Sequence, residues 1–145
     1  MNAVSRTRSG TVNHLGCVEI SSYWKHWTHV FPQHGPGMKY TRRIILERWQ
    51  EETVSAYPKE FLAGLVHSDG CRSLNTIKHK SPAGVERVYS YPRYFFTNAS
   101  DDIRRLFTST CELLGVTWTR LTERNIAISR RPDVEFLDTF IGPKS

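Results

Sequence analysis

The sequence predicts an α+β domain over residues 58–145, preceded by an N-terminal extension over residues 1–57. Its element order is helix–strand–strand, helix–strand–strand, helix. Three observations predict it. Apolar residues at helical spacing recur in three stretches, each with a capping start and a glycine stop: Pro58 to Gly70, Ser100 to Gly115, and Pro132 to Gly142. Between the helices lie pairs of extended segments. The first pair is broken by Ser81-Pro82-Ala83-Gly84, a run of turn residues. Sequential antiparallel strand pairs with helices between them place the helices on one sheet face and leave the other open.

Residues 1 to about 40 carry little pattern. Ser5 to Gly16 is polar, and Thr7 to Leu15 admits one helix of a truncated helix-turn-helix. Tyr23-Trp24-Lys25-His26-Trp27 is an aromatic and basic cluster, readable as a DNA contact or as a packing patch. His14, His26, His29 and His34 match no standard metal spacing. Ile44 to Tyr57 reads as a helix with Ile45, Trp49 and Val54 on one face, ended because the residue before Pro58 avoids the α region.

Pro58 starts the next helix, which runs to Asp69, and Gly70 suits a left-handed cap after it. Extended segments follow at Cys71 to Lys80 and Arg87 to Asn98. Ser100 caps a helix with Asp101 and Asp102 in its first turn and Ile103, Leu106, Phe107, Cys111 and Leu114 as its apolar stripe. Val116 to Leu121 and Asn125 to Arg130 read as strands. A last helix opens at Pro132-Asp133 and carries Val134, Leu137, Phe140 and Ile141.

Hydrophobic residues make up 39% of the chain, enough for a packed core, and no apolar run approaches the ~20 residues that cross a bilayer. MNAVSRTRSG has no apolar segment behind it, so no secretory signal is expected. Three scattered cysteines without a CxxC pair predict neither a disulfide framework nor a zinc site, and fit a reducing cytoplasm. The expected location is therefore cytoplasmic, with nucleoid association in a prokaryote. Net charge is +6, which puts polyanions first among partners. Between Cys71 and Ser100, five cations (Arg72, Lys78, Lys80, Arg87, Arg93) face one acid, Glu86, a local +4 interleaved with tyrosines.

Leu62-Ala63-Gly64-Leu65-Val66-His67-Ser68-Asp69-Gly70 resembles the LAGLIDADG signature, identical at six of nine positions. It lies on a helix that ends at the motif's glycine and is followed by the αββαββα order of that family. The resemblance covers residues 58–145 and implies a saddle-like antiparallel sheet. It also implies that the motif helix is a dimer interface through Leu62, Ala63, Gly64, Val66, His67 and Ser68. One motif per chain implies a homodimer. The small residues make physical sense, because Gly64 and Ser68 lie one turn apart and let helices approach closely. A mid-helix glycine costs ~1 kcal/mol against alanine, which suggests a partner using the space.

The resemblance makes Asp69, with Gly70 beside it, the metal-binding site for Mg²⁺ or another divalent cation. A carboxylate at a helix C-terminus opposes the helix dipole, and a hard cation would compensate it. The family's first motif aspartate is His67 here. Asn98 and Arg131 are carried over as catalytic neighbours, the arginine placed to stabilise charge on the scissile phosphate. DNA contacts are expected from Arg72, Ser73, Asn75, Lys78, His79, Lys80, Arg87 and Arg93. Alternation places Cys71, Ser73, Asn75, Ile77 and His79 on one face of the first strand and Arg72, Leu74, Thr76, Lys78 and Lys80 on the other. Neither face is cleanly apolar, so the pattern does not say which meets DNA.

The expected function is a site-specific, metal-dependent double-strand DNA endonuclease acting as a homodimer on a near-palindromic site. No membrane and no small-molecule cofactor are expected. The rival is a DNA-binding regulator that keeps the fold without cutting, and a maturase-like RNA-binding role is a third reading.

Overall fold

A computed structural model describes residues 9–143. They divide into two compact units, one up to Pro36 and one from Gly37 on. In the first, β1 (Ser9–His14) pairs antiparallel with β2 (Cys17–Ser22), in register from Ser9 opposite Ser22 to His14 opposite Cys17. Gly16, at φ 85°, makes the turn. A short helix, α1 (Trp27–Val30), follows. The rings of the aromatic cluster pack on one another, Trp24 edge-on to Trp27 at 5.4 Å and Trp27 stacked on Phe31 at 5.5 Å. The expected helix-turn-helix remnant is corrected here. Ser9–His14 is strand, and Thr7 and Arg8 lie outside the described residues. The β-branched Thr11 and Val12 favour extended backbone, and the turn at Gly16 brings them opposite Ile20 and Glu19.

The second unit is α+β and takes in more of the chain than residues 58–145, because residues 42–47 are tied to a later helix. The Ile44 amide donates to Asp102 Oδ2 at 2.8 Å, and Arg43 Nε lies 3.2 Å from the same oxygen. The Ile44 amide, followed by Arg43 and Arg105, holds the Asp102 carboxyl below its usual range. This bond keeps Ile44 out of a helix, so α2 spans Arg48–Ala56, opened by a capping box between Glu47 and Gln50. Its expected apolar face is not buried within the chain: Ile45 and Trp49 are exposed.

The elements that follow are α3 (Pro58–Asp69), β3 (Gly70–Lys80), β4 (Glu86–Thr97), α4 (Asp101–Leu113), β5 (Thr119–Arg120), β6 (Asn125–Ile128) and α5 (Arg131–Asp138). Ser100 Oγ accepts the Ile103 amide, as a cap should. Three elements are shorter than the sequence suggests, among them β6, which stops at Ile128 rather than Arg130. The strand expected from Val116 reduces to Thr119–Arg120, since the Val116 amide closes onto Cys111 O and the Thr117 amide onto Asp133 Oδ2. The last helix ends at Asp138, with Ile141 still buried beyond it.

The sheet is wholly antiparallel, in the order β3-β4-β6-β5. Residues directly opposite on paired strands share a face. Tyr94 and Phe96 of β4 and Ile126 and Ile128 of β6 enter the core with Leu62 and Val66 of α3, Phe107 and Cys111 of α4, and Val134 and Leu137 of α5. Phe96 and Phe107 stack with ring centroids 4.2 Å apart. Helices therefore cover the even-numbered face of β4 and β6. Burial raises the Cys111 thiol to about 12, which keeps it protonated and inert. No helix among the described residues is long and apolar enough to cross a membrane.

Gly70 differs from expectation in an instructive way. Its φ is −110° and ψ 173°, an extended conformation open to any residue, so it is not a left-handed cap. What demands glycine is space. A Cβ there would lie 2.9 Å from Phe95 O, Val66 Cα and Val66 O. The chain passes from helix to strand with its own backbone pressed against the turn it has just left.

Candidate functional site

Asp69 ends α3 at the surface, where the helix hands over to β3. Asn98 follows the last residue of β4, and its Nδ2 donates to Asp69 Oδ2 at 3.0 Å. Ser68 Oγ donates to the same oxygen at 3.2 Å. The Asn98 side chain is itself fixed, since its Oδ1 accepts the Ser100 amide at 2.7 Å. Its backbone is held from two sides. The Asn98 amide donates to Arg124 O at 3.2 Å, and the Asn98 carbonyl accepts from the guanidinium of buried Arg104, which also pairs with Asp101. The structure thus brings Asp69 and Asn98 together and supplies a scaffold behind them.

Arg131 is not part of this group. Thr97 faces Asn125 and Tyr94 faces Ile128 across a β4–β6 ladder of four residue pairs. Asn98 lies just past one end of that ladder and Arg131 just past the other. Arg131 opens α5 and pairs with Glu135 one turn on, Nε to Oε1 at 2.8 Å. Its expected place beside Asp69 is therefore corrected. Following a strand in the sequence does not say which end of the sheet a residue occupies.

The register of β3 against β4 divides the expected DNA contacts. Ser73 faces Arg93, Asn75 faces Tyr91 and His79 faces Arg87, all on the side away from the helices. No acid lies on that face of either strand. Arg72, Lys78 and Lys80 lie on the opposite face. Arg72 is engaged there, with Nε and Nη2 donating to the two Asp138 oxygens at 2.7 and 2.8 Å. Lys78 lies 3.8 Å from Glu86. Arg72 is a tie between β3 and α5 rather than a free cation.

Tyr91 was missing from the sequence-derived set and sits at the centre of the open face. Its hydroxyl accepts from Asn75 Nδ2 at 2.8 Å and from Arg93 Nη2, and the Arg93 guanidinium lies 4.8 Å from its ring centroid. Only the strand register reveals this group, because Asn75 and Tyr91 are 16 residues apart in the chain. The hairpin is long, with 11 residues in β3 and 12 in β4. At ~3.3 Å per residue it extends about 35 Å, one turn of a DNA duplex.

On the helix face, Tyr94 Oη donates to Asp138 Oδ1 at 2.6 Å and completes a triad with Arg72. Arg72, then the Tyr94 hydroxyl, holds the Asp138 carboxyl below its usual range against the opposing effect of burial. Because its folded pKa is depressed, Asp138 contributes stability that is present above the unfolded value of ~3.9 and lost as pH falls through the folded value. Asp138→Ala is expected to cost about 1–3 kcal/mol at neutral pH. In denaturant titrations, the gap between variant and parent should narrow below about pH 4. A gap that stays constant to pH 2 would assign the loss to packing instead.

The motif helix shows two different faces. Leu62 and Val66 are buried in the core of their own chain, so their expected place in a dimer interface is corrected. Gly64 and Ser68 are exposed, with Ala63 and His67 half-buried beside them. Among the described residues, nothing beyond the helix's own backbone lies within 4 Å of where a Gly64 Cβ would sit. Among the described residues no group of three or more His, Cys, Asp or Glu could hold a metal ion. No family model matches the sequence, and no curated protein matches it either.

Proposed function

We propose that this chain is one protomer of a LAGLIDADG-type homodimeric endonuclease that cuts double-stranded DNA with a divalent metal. The observation that carries the reading is the placement of Asp69. It stands exposed at the end of a helix whose free stripe is made of small residues, is oriented by Asn98, and leads directly into β3, which with β4 presents an acid-free face away from the helices. The order of elements from α3 to α5 agrees with the family's αββαββα pattern.

Two chains joined through Gly64 and Ser68 would bring two Asp69 carboxylates together beneath the duplex. Mg²⁺ commonly takes one or two carboxylates and completes its shell with phosphate oxygens and water, so a lone aspartate per chain fits that ion. Asp69, with the Gly70 main chain beside it, would hold it. When bound, the ion supplies stabilisation of the departing oxygen and acidifies the attacking water. Asn98 orients the carboxylate, while Ser73, Asn75, His79 and Arg93 line the ribbon that enters the major groove.

The regulator reading keeps the same ribbon and differs only at Asp69. Incubation of the chain with a randomised duplex library and Mg²⁺ separates the two, since the nuclease yields both bound and cut sequences and the regulator only bound ones. Against a recovered site, Arg87→Ala should reduce the slope of log affinity against log salt by about 0.9 per protomer, one phosphate contact. Arg72→Ala should leave that slope alone and lower thermal stability. The reverse result would put DNA on the other side of the sheet.

A further inference from the structure

Among the described residues Arg104 is the one charged residue that is buried, 3% exposed. It stands on the core face of α4 with Phe107 and Cys111, where an apolar side chain is the ordinary occupant. Its bonds do little to offset that burial. Nη2 pairs with Asp101, whose side chain is 69% exposed and so keeps most of its water. Nε is buried without a partner among the described residues. A buried cation satisfied only in part costs stability. Its other bond runs from Nη1 to the Asn98 carbonyl, at 2.5 Å.

That bond ends on the residue that holds Asp69. The two oxygens of Asn98 are both fixed from the start of α4, the carbonyl by Arg104 and Oδ1 by the Ser100 amide. With both held, the carboxamide is set and its Nδ2 meets Asp69 Oδ2 at 3.0 Å. Ser68 Oγ bonds the same oxygen, which leaves Oδ1 of Asp69 for a cation. We propose that Arg104 is a positioning residue for the Asp69 site, acting through Asn98 on the carboxylate that receives the divalent ion. This rests on the endonuclease reading. Groups that orient a metal ligand commonly govern affinity for the ion by about ten- to a hundredfold. The buried charge thus serves the site more than the stability of the core around it.

Mn²⁺ binding to the protein on a recovered duplex site, read from the fall of the free-ion paramagnetic resonance signal, tests this without relying on cutting. Arg104→Met keeps much of the side chain's bulk and, because Asp101 is solvated, leaves no buried charge behind. It should weaken Mn²⁺ about tenfold, while DNA affinity in metal-free buffer stays at the parental value. Arg104→Lys, whose ammonium can still donate to the Asn98 carbonyl, should recover most of that loss. Asn98→Ala removes the link itself, so adding Arg104→Met to it should weaken Mn²⁺ no further. Equal Mn²⁺ affinity in Arg104→Met and its parent, even with a lower Tm, overturns the proposal and makes Arg104 purely structural. Losses that add in the double variant overturn it too. Should Arg104→Met not fold, Arg104→Gln takes its place under the same expectations. A parent complex that binds no Mn²⁺ overturns the endonuclease reading on which the proposal rests.

Discussion

On the endonuclease reading proposed above, Asp69→Asn is expected to abolish Mg²⁺-dependent cleavage while leaving DNA binding nearly intact. Asp69 Oδ2 accepts from both Asn98 Nδ2 and Ser68 Oγ, and an asparagine can present its own Oδ1 to the same two donors. Local geometry is thereby preserved. What disappears is the negative charge that a hard cation requires. Metal stabilisation of the departing oxygen is worth several kcal/mol. A loss of about 4 kcal/mol corresponds to roughly a thousandfold in rate. Binding measured in Ca²⁺ or without metal should hold, or tighten slightly, because a carboxylate no longer faces phosphate. The helix should gain a little too, since a charge opposing its C-terminal dipole costs about 0.3–1 kcal/mol. A variant that cuts at the parental rate would place the chemistry away from Asp69.

The parts of this molecule that sequence made legible are those where one physical cause acts locally. Pro58 at a first helical turn, Ser100 at a cap and Gly84 in a tight turn each announce their element, and the structure places α3, α4 and the β3–β4 hairpin where they indicate. Every residue of Ser9–His14 is exposed. Such a strand has no buried face and so no alternation to read. Which face of β3 meets the helices was equally invisible, because Leu74 lies 66% exposed on the nominal core side of the projecting hairpin. The answer lies in Tyr94 and Phe96 of the partner strand, through a register that only the turn sets.

The candidate site divides along the same line. Asp69 and Asn98 were found because each sits at the end of an element that could be delimited. The sequence misplaces Arg131 and passes over Tyr91, because their neighbours depend on the β4–β6 and β3–β4 pairings. Buried Arg104 gave no sign of itself, standing in a helix where an arginine ordinarily faces water.

Two glycines of the motif should respond in opposite ways to the same added methyl group. At Gly70 a Cβ would meet three backbone atoms at 2.9 Å, two of them in Val66. Backbone cannot swing aside as a side chain can, so either the end of α3 or the start of β3 must shift. Gly70→Ala is expected to cost about 3 kcal/mol, the upper range for overpacking, and to lower Tm on the order of 10 °C. Since Asp69 immediately precedes it, the cleavage proposed for this chain should fall along with stability. At Gly64 a Cβ would meet nothing within 4 Å among the described residues beyond its own helix backbone. Within one chain, Gly64→Ala removes a flexible residue from mid-helix and should stabilise the isolated protomer by up to about 1 kcal/mol. Its effect changes sign if a second copy packs on that stripe. Gly64→Leu should then convert the dimer to a monomer by light scattering, with far-ultraviolet circular dichroism showing the fold retained. A Gly64→Leu protein that remains a full dimer would move the interface off α3, and a Gly70→Ala protein as stable as its parent would mean that the helix-to-strand junction yields where its backbone contacts say it cannot.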